Sequence, residues 1–337
     1  MPQDEISTEE YLDTGIVCSL CKSTSKLSWF ILNGLIPVII PILKLGCWLK
    51  IHDTAACSQT IDLFAPHVIA NIKYKLDDPD YMCGIVWKTC PTTKKFEDFE
   101  EYLRETMEGQ PIPVEPKPTG KSSYKILQLN DVHIDFDYRE GYSIMCSSIV
   151  NCCEERSGSP KNDADRSGRW GAIDGTCDLP TRTFEAAINY IRDVIKPDYI
   201  FWLGDNTDHK VWLANHERQN SFTGYMTEYM REAIPDIPIF PILGNHEMLP
   251  VDIYDFDNPA TDWVLTDSAK MFESFLPKDA LDSFRVNGYY STPLDPTGKR
   301  KARVIGLFVA AIDGINVYLW EQKPDPYGMI AWLKKTL

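Results

Sequence analysis

Three short polar motifs carry the candidate chemistry of this sequence, and each follows an apolar run. Asp131-Val132-His133 comes after YKILQL (124–129), Gly204-Asp205-Asn206 after YIFWL (199–203), and Gly244-Asn245-His246-Glu247 after IFPIL (239–243). Carboxylate, imidazole and carboxamide groups in mixed sets suit zinc, manganese or iron. In an extended DVH segment, alternation puts Asp131 and His133 on one face, where both can reach the same ion. Asp205 follows a glycine that permits a tight turn and is placed to bridge two ions, while Asn245 adds a neutral oxygen. Two ions about 3.5 to 4 Å apart serve displacement at phosphorus, and His246 is left for proton transfer. Singly, each motif arises easily by chance. Their joint occurrence behind three strands makes a metal-dependent hydrolytic site the expectation.

These motifs need a scaffold that brings distant segments to one edge. Phe184, Ala187, Ile188, Ile191, Val194 and Ile195 repeat at helical spacing, as do Phe222, Tyr225, Met226, Tyr229, Met230 and Ala233. Short strands alternating with such helices predict α/β layering, and open α/β sheets gather their sites at the carboxyl ends of the strands. Near the end of the chain, RVIGLFVAAI (303–312) reads as strand-like and YGMIAWLKKTL (327–337) as helix-like.

At 337 residues the chain is long enough for two domains at roughly 150 residues each. With 44% hydrophobic and 25% charged residues it is globular, not disordered. The 34 basic and 49 acidic side chains leave a net charge of −15, which repels a phosphate backbone and excludes duplex nucleic acid as a general partner. Ten cysteines, clustered between Cys18 and Cys90 and between Cys146 and Cys177, read as disulfides of an oxidising compartment. A zinc site at Cys18 and Cys21 lacks the second ligand pair it requires. The start MPQDEISTEE has no apolar signal-peptide core, which leaves a missing start or an unusual export route. Trp29 to Leu49 is interrupted by Pro37, Pro41, Lys44 and Cys47, so amphipathic, partly buried helices are expected there and not a stable transmembrane segment.

The first six cysteines are separated by 2, 25, 9, 25 and 6 residues, a nearly palindromic pattern. It suits nested bridges closing a helical hairpin, although six cysteines allow 15 pairings and spacing does not choose among them. Ile36, Val38, Ile39, Ile40, Ile42, Leu43 and Leu45 offer an apolar surface for lipid or a closed core. Phe96, Phe99, Tyr102, Leu103 and Met107 have the spacing of a docking helix, and Pro111, Pro113, Pro116 and Pro118 mark a semi-rigid linker.

The cysteine order across roughly Thr14 to Pro91 resembles the saposin B-type domain, and DxH, GDN and GNHE in that order resemble the calcineurin-like metallophosphoesterases. Together they resemble the acid sphingomyelinase family from about Thr14 to the last residue. The resemblance implies an α+β multidomain protein. A small all-α, disulfide-bonded saposin-like domain (14–92) would be followed by a helix and Pro-rich linker (93–122). An incomplete α/β metallophosphoesterase sandwich (123–337) would come last. It implies bridges Cys18–Cys90, Cys21–Cys83, Cys47–Cys57, Cys146–Cys152 and Cys153–Cys177. It also implies two zinc ions on Asp131, His133, Asp205 and Asn245, and catalytic His246 and His209, the latter in GDNTDHKVW facing the substrate. The implied reaction is cleavage of sphingomyelin to ceramide and phosphocholine at a membrane surface, in a secreted or lysosomal setting. No protein partner is implied.

The family also needs a later histidine and a GHxH motif, and no histidine follows His246. One ion would then hold Asp131, His133 and Asp205, but the other only Asp205 and Asn245, so a chain cut inside the domain is expected. Two other expectations stand beside this one: a secreted phosphodiesterase acting on soluble or nucleotide esters, and a catalytically impaired lipid-binding protein.

Overall fold

The computed structural model describes residues 8–50, 53–76, 78–79, 82–83, 90, 120, 124–146, 151–295, 297, 302–321 and 325–337. The expected docking helix at 96–107 and Pro111, Pro113, Pro116 and Pro118 lie outside the described residues. The chain divides into two units, residues 1–39 with 69–123 and residues 40–68 with 124–337.

Two helices open the chain, α1 (Thr8–Lys50) and α2 (Thr54–Leu76). In the first unit, Cys18–Cys90 and Cys21–Cys83 bridge the chain, and Cys21, Leu76, Met82, Cys83 and Cys90 pack into a small cluster. Cys47–Cys57, in the second unit, links the end of α1 to the start of α2. The apolar stretch around Pro37 and Pro41 forms part of one continuous helix, not several, and it is more exposed than its expected partly buried state. Ile42 is 59% and Trp48 69% exposed, and Val38, Leu43, Leu45 and Leu49 also face outward. Apolar residues occur on every side of this stretch, so no single packed face can cover them all. No helix among the described residues is long and apolar enough to cross a membrane.

The second unit is a mixed α/β structure. Its strands begin with β1 (Ile126–Leu129), β2 (Ile134–Asp135) and β3 (Leu179–Pro180). Then come α3 (Thr181–Tyr190), which runs into one wider turn at Ile191–Ile195, β4 (Tyr199–Trp202), α4 (His216–Ala233) and β5 (Ile239–Pro241). The remaining elements are α5 (Trp263–Met271), α6 (Lys278–Asn287), β6 (Tyr290–Pro293), β7 (Arg303–Gly306) and α7 (Met329–Thr336). The strand-like 303–312 thus ends early: after Gly306 the chain turns into a short 3-10 segment at Val309–Ala311.

Strands β1, β4 and β5 form a parallel sheet in the order β1-β4-β5, with Leu129 opposite Trp202 and Trp202 opposite Pro241. The central strand must be apolar on both faces, and Tyr199, Ile200 and Trp202 are buried. Helix α3 buries Phe184 and Ile188, and α4 buries Phe222, Met226 and Met230, one stripe each. Asn215 starts α4 by accepting the Arg218 N–H on its side chain at 3.0 Å. The core runs on to Trp202, Phe272 and Phe284, whose rings meet edge-on or tilted at 5.6 Å between centroids. All three strands of this sheet therefore end at the same edge, each followed by a polar loop.

Phe272→Ala empties the fully buried centre of this core, and large-to-small changes of that kind cost about 3–5 kcal/mol. Urea unfolding followed by tryptophan fluorescence is expected to show a loss in that range, and a loss below about 1 kcal/mol would contradict the assigned packing.

Candidate active site

The loops after β1 and β4 are zipped together before any ligand is considered. Leu203 N donates to the Leu129 carbonyl at 2.8 Å, His133 N to Asp205 O at 3.0 Å and Ile134 N to Asn206 O at 3.0 Å. The chain does not stay extended through DVH, as alternation along a strand had required. Asp131 and His133 have φ of 52° and 40°, and Asp205 has 55°. These are left-handed conformations that non-glycine residues rarely adopt, and they are held here by surrounding bonds. Turns in the loops, not strand periodicity, bring the side chains together.

Two glycines make the close approach possible. A Cβ on Gly204 would lie 2.0 Å from the Gly244 nitrogen, and one on Gly244 would lie 2.2 Å from Asp205 Oδ1. Glu247, 3% exposed, sits behind them. Its carboxylate accepts N–H bonds from Asp205 at 3.0 Å, Asn206 at 2.7 Å and Gly244 at 2.7 Å. Burial, reinforced by the Asp205 charge, pushes the Glu247 carboxyl up to about 7. Glu247 thus ties the loop after β5 to the loop after β4.

The ligand atoms of Asp131, His133 and Asp205 all lie within 4.8 Å of one another. His133 Nδ1 donates to the Thr207 carbonyl at 2.7 Å, which leaves Nε2 for a metal, the usual arrangement for a ligating imidazole. Burial raises the Asp205 carboxyl, and the His246 N–H donates to its Oδ1 at 2.9 Å. Asn245 spends its amide nitrogen on Asp252 Oδ1 at 2.7 Å, so its side-chain oxygen is the atom suited to ligation. The grouped donors, two carboxylates and one oriented imidazole, fit a divalent cation.

His133, His209 and His246 form a second group, also with ligand atoms within 4.8 Å of one another. Their rings are 4.2 to 4.8 Å apart between centroids. Asp178 orients His209: its Oδ1 lies 2.7 Å from Nδ1, and its Oδ2 accepts the His209 backbone N–H at 2.7 Å. That bond raises the His209 pKa. Burial, together with His133 and His209, holds His246 down to about 4. Of the two candidate proton carriers, His209 is shifted toward its charged form and His246 toward its neutral form. Asp178 follows Cys177, which pairs with Cys153, and Cys146 pairs with Cys152. Sequence reasoning gave no role to Asp178 and counted Glu247 only as a possible ligand. The signal for Asp178 was its place beside Cys177 in TCDLP.

Residues 124–335 match the calcineurin-like phosphoesterase family. The chain belongs to that family. Its members work with divalent metal ions, in keeping with the donors gathered here. Sphingomyelin phosphodiesterase of Homo sapiens is 29% identical over 296 residues, covering 86% of this chain and 46% of that protein. Sphingomyelin phosphodiesterase B of Dictyostelium discoideum is 26% identical over 334 residues, 97% of this chain and 51% of its own length. Cyclic GMP-AMP phosphodiesterase SMPDL3A of Bos taurus is 26% identical over 231 residues, covering 68% of this chain and 48% of that protein. The chain therefore spans about half the length of the curated relatives it matches.

Gly244→Ala places a methyl group against the Asp205 carboxylate. The expected outcome is a folded protein whose bound metal, measured by plasma emission spectrometry after dialysis, falls well below that of wild type. Unchanged metal content would show that Asp205 is not a ligand.

Proposed function

We propose that this chain is a metal-dependent phosphodiester hydrolase of the sphingomyelin phosphodiesterase kind, hydrolysing sphingomyelin to ceramide and phosphocholine at a membrane surface. The observation that carries this reading is the convergence of Asp131, His133 and Asp205 with His209 and His246 at one sheet edge. Asp131, His133, Asp205 and Asn245 are assigned as ligands, and two zinc ions as the metal. Bound there, the ions supply Lewis acidity, acidifying water and offsetting charge at phosphorus. His209, oriented by Asp178, donates to a phosphate oxygen. His246 delivers a proton to the leaving ceramide oxygen as water forms a new bond to phosphorus and the bond to ceramide breaks; the negative phosphodiester offsets the burial and repulsion that lower its pKa.

Residues 14–92 are assigned as a saposin B-type unit, residues 93–122 as linker and residues 123–337 as the phosphoesterase domain. Exposed Ile42, Leu43, Leu45 and Trp48 on α1 provide the apolar surface by which such a unit would meet lipid. Five disulfides belong to an oxidising compartment, and a lysosomal or secreted location is assigned on that ground. A second reading, hydrolysis of soluble or nucleotide diesters, is favoured by the similarity to the cyclic GMP-AMP phosphodiesterase.

Sphingomyelin in anionic vesicles, assayed against a soluble chromogenic diester, separates the readings. The proposal expects preference for the vesicles and loss of that preference when residues 1–95 are removed; indifference to the deletion supports the soluble-diester reading. Metal binding below one ion per chain, with no turnover of either substrate, would leave a lipid-binding protein. Asp205→Asn is expected to lower metal content and turnover together, by more than the roughly 10- to 100-fold that losing a ligand's hydrogen-bond partner costs. Retained metal with retained turnover would end the bridging assignment.

A further inference from the structure

The loop after β4 carries a charged group that the phosphodiesterase reading leaves without a task. Lys210 follows His209 directly and is 1% exposed. Its ammonium lies 2.7 Å from Asp135 Oδ1, 3.1 Å from Asp137 Oδ2, 3.4 Å from Glu154 Oε2 and 3.9 Å from Asp208 Oδ2. Arg218, from α4, reaches Asp208 and lies 3.4 Å from Asp137. Carboxylate oxygens of Asp135, Asp137 and Asp208 lie within 4.8 Å of one another, a spacing suited to a cation. Asp135 is 2% exposed, and its Oδ2 has no hydrogen-bond partner. A buried cluster this acidic holds together only around positive charge. Here a lysine side chain brings that charge.

The groups gripped by the ammonium belong to the segments that build the candidate metal centre. Asp135 and Asp137 lie two and four residues beyond His133. Asp208 sits between Thr207, whose carbonyl fixes His133 Nδ1, and His209. Glu154 follows Cys153, whose bridge to Cys177 leads into Asp178, the residue that holds His209. One buried cation therefore joins β2 and the turn after it, the loop after β4 and the disulfide-bonded segment between them.

We propose that Lys210 is a positioning residue for the metal centre, a tethered cation that fills the space among Asp135, Asp137 and Asp208 and locks the segments bearing His133, Asp205 and His209 in register. This inference rests on the metal-site reading above. It differs from a purely stabilising role because it couples Lys210 to the metal affinity of groups it does not touch.

The test is zinc binding to the metal-stripped full chain by isothermal titration, well below each variant's unfolding midpoint. Lys210→Met and Lys210→Ala are expected to bind zinc roughly 10- to 100-fold more weakly than wild type. Propylammonium replaces the three carbons and the ammonium removed in Lys210→Ala, and is expected to restore affinity there but not in Lys210→Met, whose side chain fills the space. Phe272→Ala, destabilised from the hydrophobic core, is expected to keep wild-type zinc affinity. Wild-type affinity in both Lys210 variants overturns the proposal, and so does equal weakening in Phe272→Ala. If neither Lys210 variant folds, Glu154→Gln decides: severalfold weaker binding supports the coupling, and unchanged binding overturns it. Zinc binding by wild type but unperturbed variants sinks this inference alone, whereas no zinc binding by wild type sinks the metal site with it.

Discussion

Everything at the sheet edge depends on how closely two backbones can approach. The loop after β4 and the loop after β5 pass so near each other that side chains on Gly204 and Gly244 would collide with backbone and carboxylate atoms. A buried carboxylate, Glu247, satisfies the N–H groups this approach would otherwise strand. The loop after β1 is then hydrogen-bonded onto the same frame. Only in that setting can Asp131, His133 and Asp205 stand in left-handed conformations costing of order 1–3 kcal/mol each.

The electrostatics follow from the same geometry. Packing carboxylates together out of water raises Asp205 and Glu247, a cost that a bound cation would offset. Beside them, burial and the neighbouring imidazoles lower His246, while the bond from Asp178 raises His209. In the segments that continue from these loops, Asp135, Asp137 and Asp208 face the same problem and are met by Lys210 and Arg218. The unit thus holds two clusters of converging carboxylates, one suited to a metal ion and one already filled by side-chain cations.

The helical N-terminal region works on a different principle. Its buried cluster in the first unit is small and rich in cystine, so covalent links supplement a modest core. In the second unit, Ile42, Leu45 and Trp48 stand uncovered near the Cys47–Cys57 bridge.

The sequence by itself determined the local elements and the identity of the donors. Helical spacing in 184–195 and 222–233 and the apolar runs ahead of DVH, GDN and GNHE are written in short stretches of chain, because periodicity and residue type are local properties. Tertiary structure decided how the donors meet. Alternation along an extended strand was the wrong route for Asp131 and His133, since their backbones leave the extended region to bond with the loop after β4. Asp178, Glu247 and Lys210 acquire their roles only through partners 31, 42 and 75 residues away. No local pattern encodes such partners: they exist because a parallel sheet places the ends of distant strands side by side.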